Sequence, residues 1–263
     1  MYFNLFLISL ILLFIIYLFI FTKEDFVSKS FINKYYVISL NNKKGREKWK
    51  YMKRTSIGTN LEKVNAIDGR LININEYVKN KYITRYWDLG KWKYGKSKLV
   101  KLSPTEIGCC LSHLKIWNII NKNNIEKCII FEDDAHYMKS NFKQEIDNIL
   151  DTVPKDWDII LLGYMIKDNS HKDEIKIGTF YKIKQFFLTH CYLIKLKGVR
   201  RLLTLLPINA PIDTWLSSHS NKINIYRHNI TNGKANRFKN IHSHLIRQNT
   251  NTFKGEIDHT NTL

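Results

Sequence analysis

Acidic residues are scarce in this chain. Asp and Glu number 23 against 42 Lys and Arg, leaving a formal net charge of +19 over 263 residues. No zinc-finger, RNP or helix-turn-helix pattern accompanies that charge. The lysines run along the whole chain and do not gather on one predicted helix, so no nucleic-acid partner is expected. Lys, Asn, Ile and Tyr are abundant together, as AT-rich coding would produce. A basic surface of this kind favours a nucleotide diphosphate, an anionic acceptor or an anionic membrane face. Cysteine is sparse too: Cys109, Cys110, Cys128 and Cys191 each sit in an apolar segment and none forms a CxxC pair. Buried free thiols are expected, in preference to disulfides or metal ligands. There is no internal repeat. What is present is enough apolar material (44%, with 13% aromatic) to build the core of one domain.

Charge is missing altogether from Tyr2 to Phe21, a run of roughly twenty residues and long enough to cross a bilayer. It lacks the basic n-region and small-residue cleavage site of a signal peptide. The expected organisation is therefore a transmembrane anchor at 1–22, a linker at 23–34 and one catalytic-sized domain at 35–263. Lys23, Lys29 and Lys34 follow the run, which favours a cytosolic domain. The sequon Asn229-Ile230-Thr231 would permit glycosylation on the other side. The chain reads as a single-pass membrane protein whose domain could face either way.

From Tyr35 onward, apolar strand-like runs alternate with helical patterns. Tyr35 to Leu40, Leu61 to Ile67, Lys127 to Phe131, Asp158 to Gly163 and Thr189 to Lys195 read as strands. Asn41 to Arg46 reads as a polar turn before a short helix from Glu47 to Arg54. Ser103-Pro104-Thr105-Glu106 carries a capping serine, a first-turn proline and a capping-box glutamate, so a helix is predicted to begin there. Further helices are predicted from Asn141 to Leu150 and from Lys197 to Leu206. No period is visible between Asn73 and Lys101, which reads as a loop region. Alternation of this kind predicts an α/β fold with a mostly parallel sheet covered on both faces.

Against the basic background, Glu132-Asp133-Asp134 stands out. It follows a wholly apolar strand, and in open α/β sheets ligands bind outside the carboxyl ends of strands. Residues two apart on an extended segment point the same way, so Glu132 and Asp134 can converge. Such oxygen ligands suit Mg²⁺ or Mn²⁺, which commonly bind one or two carboxylates together with substrate phosphates. A solvated acidic turn is the plain structural alternative.

Several blocks in order resemble glycosyltransferase family 25, which includes lipopolysaccharide glycosyltransferases and collagen galactosyltransferases. They are Tyr36-Val37-Ile38-Ser39-Leu40 through Arg46; Ala66-Ile67-Asp68-Gly69; Leu102 through His113; Ile129-Ile130-Phe131-Glu132-Asp133-Asp134; Trp157 to Gly163; Cys191 to Ile194 with Gly198 to Leu203; and Pro211-Ile212-Asp213. Ser39 and Asn41 depart from the family's usual Asn and Asp. The resemblance spans about Tyr35 to Leu216. It implies a GT-A-like nucleotide-sugar domain and inverting, metal-dependent transfer from a nucleotide-sugar, with UDP-hexose the expected donor, to a glycan, lipopolysaccharide or protein acceptor.

Within it, Glu132, Asp133 and Asp134 are the candidates for Mn²⁺ or Mg²⁺ and the diphosphate, with His242 a late metal ligand. Arg46 and Asp68 are donor-binding candidates. Asp213 is the preferred general base, and Glu106 and His113 are further catalytic candidates. Glu106 reads equally as a cap, His113 as a satisfied core group, and Asp213 as the N-cap of a helix from Thr214 to Ser220. An inactive relative of the family, or a basic membrane-tethered binding protein, is the alternative.

Overall fold

The computed structural model describes residues 32–56, 59–90, 95–137, 140–166, 174–228 and 245–246, with 241–242 and 247–248 through their backbone. The expected anchor at 1–22 and most of the linker lie outside these residues. Among the described residues, no helix is long and apolar enough to cross a membrane.

The described chain opens with β1 (Lys34–Ser39), α1 (Lys43–Thr55) and β2 (Leu61–Asn65). The helix starts earlier than expected. Asn42 is its N-cap and accepts the N–H of Gly45 at 2.8 Å, so the polar stretch predicted to be a turn supplies the first helical residues. The stretch from Asn73 to Lys101 also holds structure: α2 (Ile74–Lys79) and a hairpin of β3 (Tyr86–Asp88) with β4 (Leu99–Lys101). These elements are too short to show a period.

α3 (Pro104–Lys122) begins where predicted, with the full reciprocal capping box between Ser103 and Glu106. There follow β5 (Lys127–Glu132), β6 (Ala135–Tyr137), α4 (Phe142–Thr152), β7 (Ile159–Ile166), β8 (Ile175–Ile177) and β9 (Phe180–Lys182). The chain continues through β10 (Phe187–Lys195), α5 (Leu196–Thr204), α6 (Ile212–Ser218) and β11 (Ile225–His228), then β12 (Ile241–His242) and β13 (Ile246–Gln248).

Among the described residues the main sheet has nine strands in the order β2-β1-β5-β10-β7-β11-β9-β8, with β12 on β7. It is mixed. β2, β1 and β5 run parallel, as do β7 and β11, but β10 is inserted between β5 and β7 antiparallel to both. The expectation of a mostly parallel sheet is corrected at this strand. Its apolar composition reports burial on both faces and is silent on direction.

Alternation along the strands feeds two cores. Tyr36, Ile38, Ile130 and Tyr192 face α3, α5 and α6, whereas Val37, Ile129, Phe131 and Leu193 face α1 and α4. Each fully buried Ile or Phe contributes about 1.5–3 kcal/mol relative to exposure, and both faces of the sheet are held in this way. The four cysteines are free thiols, and three of them are buried.

Candidate functional site

β1 and β5 end side by side, with Ile38 in register with Glu132. Because β10 runs the other way, its first residues, Leu188 and Thr189, arrive at that same end. The loop after β2, the start of α3 and the start of α6 complete a cleft of about 420 Å³. Its walls carry six carboxylates from four segments: Asp68, Glu106, Glu132, Asp133, Asp134 and Asp213. In a chain short of acidic residues, this is where they meet.

The loop carrying Asp68 is pinned to α3. Ser112 Oγ accepts the N–H of Ile67 at 2.8 Å and donates to the Gly108 carbonyl at 2.6 Å. The backbones of Gly69 and Gly108 touch: a Cβ on Gly108 would stand 2.5 Å from the Ile67 oxygen, and one on Gly69 would stand 1.8 Å from the Pro104 oxygen. Asp68 itself is gripped by Arg70 through Nε at 2.8 Å and Nη2 at 2.6 Å, and these bonds hold its carboxyl below the ordinary Asp range.

Glu106 spends Oε2 on the cap, accepting the Ser103 N–H and hydroxyl at 2.8 Å each. Glu132 Oε1 accepts the Thr189 hydroxyl at 2.9 Å and lies 3.3 Å from His113 Nε2. Burial would raise the Glu132 pKa, but the hydrogen bonds from His113 and Thr189, with His190 nearby, prevail and hold it low. His113 is fully buried behind Glu132 and does not reach the cleft surface.

Asp213 is not the N-cap of its helix, because Pro211 occupies that place. The carboxylate sits in the first turn. Oδ1 accepts the Thr214 N–H at 2.7 Å, and Oδ2 accepts the Leu188 N–H from β10 at 3.0 Å. Leu188 adopts a left-handed φ of 65°, a strained conformation for a branched residue, and Asp213 fastens it. Burial pushes the Asp213 pKa above the ordinary value, with the charge of Glu132 adding to the rise, while the Leu188 and Thr214 bonds oppose it.

One donor-site expectation changes. Arg46 is exposed, bonds the Asn41 carbonyl at 3.2 Å and does not line the cleft. Lys48, two residues on, is the cation of this helix that faces the cleft. It lines the cleft and pairs with Asp133 at 3.0 Å. The signal was its spacing: Gly45, Lys48 and Met52 form the buried stripe of α1. His242 lies in β12 opposite Met165, and its side chain lies outside the described residues, as does all of His244.

The one group of three donor side chains with ligand atoms mutually within 4.8 Å, among the described residues, is Cys109, His113 and Glu132. It is not the acidic triplet. Desolvation and the neighbouring Glu132 carboxylate push the half-buried Cys109 thiol well up, which disfavours the thiolate a metal would need.

A concave acidic site at the strand ends of a mixed α/β sheet is the mark of a ligand-binding α/β domain. Comparison with known proteins gives the family. Residues 32–216 match the profile of glycosyltransferase family 25 (LPS biosynthesis protein), and the chain belongs to that family. It is 29% identical over 168 residues to procollagen galactosyltransferase 1 of Danio rerio, covering 60% of this chain and 26% of that one. It is 28% identical over 162 residues to the probable inactive glycosyltransferase 25 family member 3 of Bos taurus, covering 58% and 26%. The chain thus matches about a quarter of the length of these curated relatives. Mouse xyloside xylosyltransferase 1 in its apo form aligns over 71% of this chain and 61% of its own at 14% identity, with a TM-score of 0.34, too low to bear on function.

Proposed function

We propose that this chain transfers a sugar from a nucleotide-sugar, a UDP-hexose, to a hydroxyl of a glycan, lipopolysaccharide or protein acceptor, with inversion and with Mn²⁺ or Mg²⁺. The observation that carries the reading is the convergence of six carboxylates on one cleft in a chain of net charge +19. Like charges are costly to gather unless a cation or a proton-transfer step uses them.

The donor set fits a hard cation. Glu132, Asp133 and Asp134 offer oxygens at a strand end, and such cations take one or two carboxylates plus phosphate oxygens. When bound, the cation would neutralise charge on the leaving diphosphate. Lys48 would add a second positive charge beside that diphosphate, exchanging Asp133 for a phosphate oxygen. Asp213 would take the acceptor proton as the acceptor oxygen forms its bond to the sugar and the bond to the diphosphate breaks. A carboxylate raised by burial is the better base of the set. The charge-free run Tyr2–Phe21 would tether the domain to a membrane.

Incubating the full-length chain with a panel of nucleotide-sugars and Mn²⁺ tests the proposal. Donor hydrolysis or transfer, together with metal-dependent thermal protection by UDP, supports it. The naming of one relative as probably inactive favours a second reading, a non-catalytic member of the family. Protection by UDP without any turnover selects that reading.

A further inference from the structure

Behind Glu132 runs a chain of hydrogen bonds with only one consistent set of proton positions. Trp117 Nε1 lies 3.0 Å from the Tyr192 hydroxyl, which lies 2.8 Å from His113 Nδ1; His113 Nε2 lies 3.3 Å from Glu132 Oε1. Trp117, His113 and Tyr192 are fully buried, and the His113 and Tyr192 rings stack at 5.6 Å. An indole N–H can only donate, so the Tyr192 oxygen accepts it. Tyr192 then has one proton left to give, and the acceptor at hand is His113 Nδ1. That nitrogen must carry a lone pair, so the proton of neutral His113 sits on Nε2 and points at Glu132.

The other states fail on the same count. With a proton on Nδ1, whether the ring is neutral or charged, the Tyr192 oxygen would receive two N–H donors. Its own hydrogen would then be sealed in the core without an acceptor, and a buried donor left unpaired is costly.

We propose that Trp117 and Tyr192 are positioning residues for Glu132. They lock His113 as the Nε2–H tautomer, which together with Thr189 holds Glu132 by Oε1 and leaves Oε2 for a ligand in the cleft. Both known bonds to Glu132 fall on Oε1, so the carboxylate is fixed in rotation without being used up. The same lock removes Cys109, His113 and Glu132 as a soft-metal site, because a ligating Nε2 would need the lone pair that carries the proton. The kinetic consequence rests on the transferase reading above; the tautomer does not.

The test uses the full-length chain labelled with ¹⁵N-histidine at neutral pH. Long-range ¹H–¹⁵N correlations distinguish the two tautomers, and the His113 signals among the nine histidines are those that vanish in His113→Gln. The expected result is Nε2–H in the native chain and partial conversion to Nδ1–H in Tyr192→Phe. A native ring found as Nδ1–H or as imidazolium overturns the proposal.

The kinetic arm compares two variants. His113→Leu is expected to lower turnover or metal affinity roughly ten- to a hundredfold, the range for residues that orient a ligand. His113→Gln, which keeps an N–H for Oε1, is expected to recover most of that loss. Equal losses in both overturn the positioning role. A chain that shows the Nε2–H ring but never turns over donor supports the lock and refutes the transferase reading instead.

Discussion

Lys48 and Asp133 stand 85 positions apart in the sequence and meet at 3.0 Å in the cleft, with 7% and 13% of their side chains exposed. A lysine so enclosed beside several carboxylates neutralises part of their charge and, on the transferase reading, would offer a charge to an incoming diphosphate. Lys48→Met leaves Asp133 without that partner in an acidic cleft. We expect stability to fall by about 3 kcal/mol, the lower end for breaking a buried pair, and donor affinity to fall about tenfold. Urea unfolding and donor titration measure the two. Native donor affinity in the variant would assign Lys48 to charge balance alone.

Gly108→Ala tests the clamp between α3 and the Asp68 loop. The new methyl would lie 2.5 Å from the Ile67 oxygen and 2.7 Å from the Gly69 nitrogen. Backbone on both sides must move, at a cost of about 1–3 kcal/mol. Because Asp68 rides on that loop, donor binding is expected to weaken while the Asp213 end of the cleft is undisturbed. A variant with native melting temperature and native affinity would show that the loop accommodates the methyl freely.

Excess chelator is expected to abolish donor turnover, and Mn²⁺ or Mg²⁺ to restore it. Asp134→Ala is expected to remove both the activity and the metal response. Isothermal titration with Mn²⁺ gives a readout independent of catalysis. Full turnover in chelator would sink the metal role.

As a general base, Asp213 would act only when deprotonated. Its pKa is raised, chiefly by burial, so the rate should fall with falling pH through a limb lying above the ordinary Asp range. Asp213→Asn is expected to abolish that limb, lower transfer by about 10² or more and leave donor affinity nearly native. If transfer stays near normal while the melting temperature drops, the residue serves only to hold Leu188 and α6.

Glu106→Gln retains a capping box and Glu106→Ala does not. We expect Ala to cost about 1 kcal/mol and Gln almost nothing, with transfer close to native in both once stability is allowed for. A large loss of rate in Gln at native stability would move Glu106 into the chemistry.

The sequence by itself determined the local events. Ser103, Pro104 and Glu106 set the start of α3 because a capping box uses neighbours three residues apart. The apolar run ending in Glu132 placed carboxylates at a strand terminus for the same local reason. The run of family motifs across the chain was legible because each lies in one contiguous segment.

Tertiary structure decided what depends on contact between distant segments. Strand composition carries no direction, so the reversal of β10, which brings Thr189 and Leu188 to Glu132 and Asp213, is fixed only by pairing with β5 and β7. Arg46 and Lys48 are both cations on one basic helix, and which of them enters the cleft depends on the stripe that packs on the sheet. His113 lies 79 residues from Tyr192 and 19 from Glu132. Its place behind the carboxylate is set only when α3, β5 and β10 close around it.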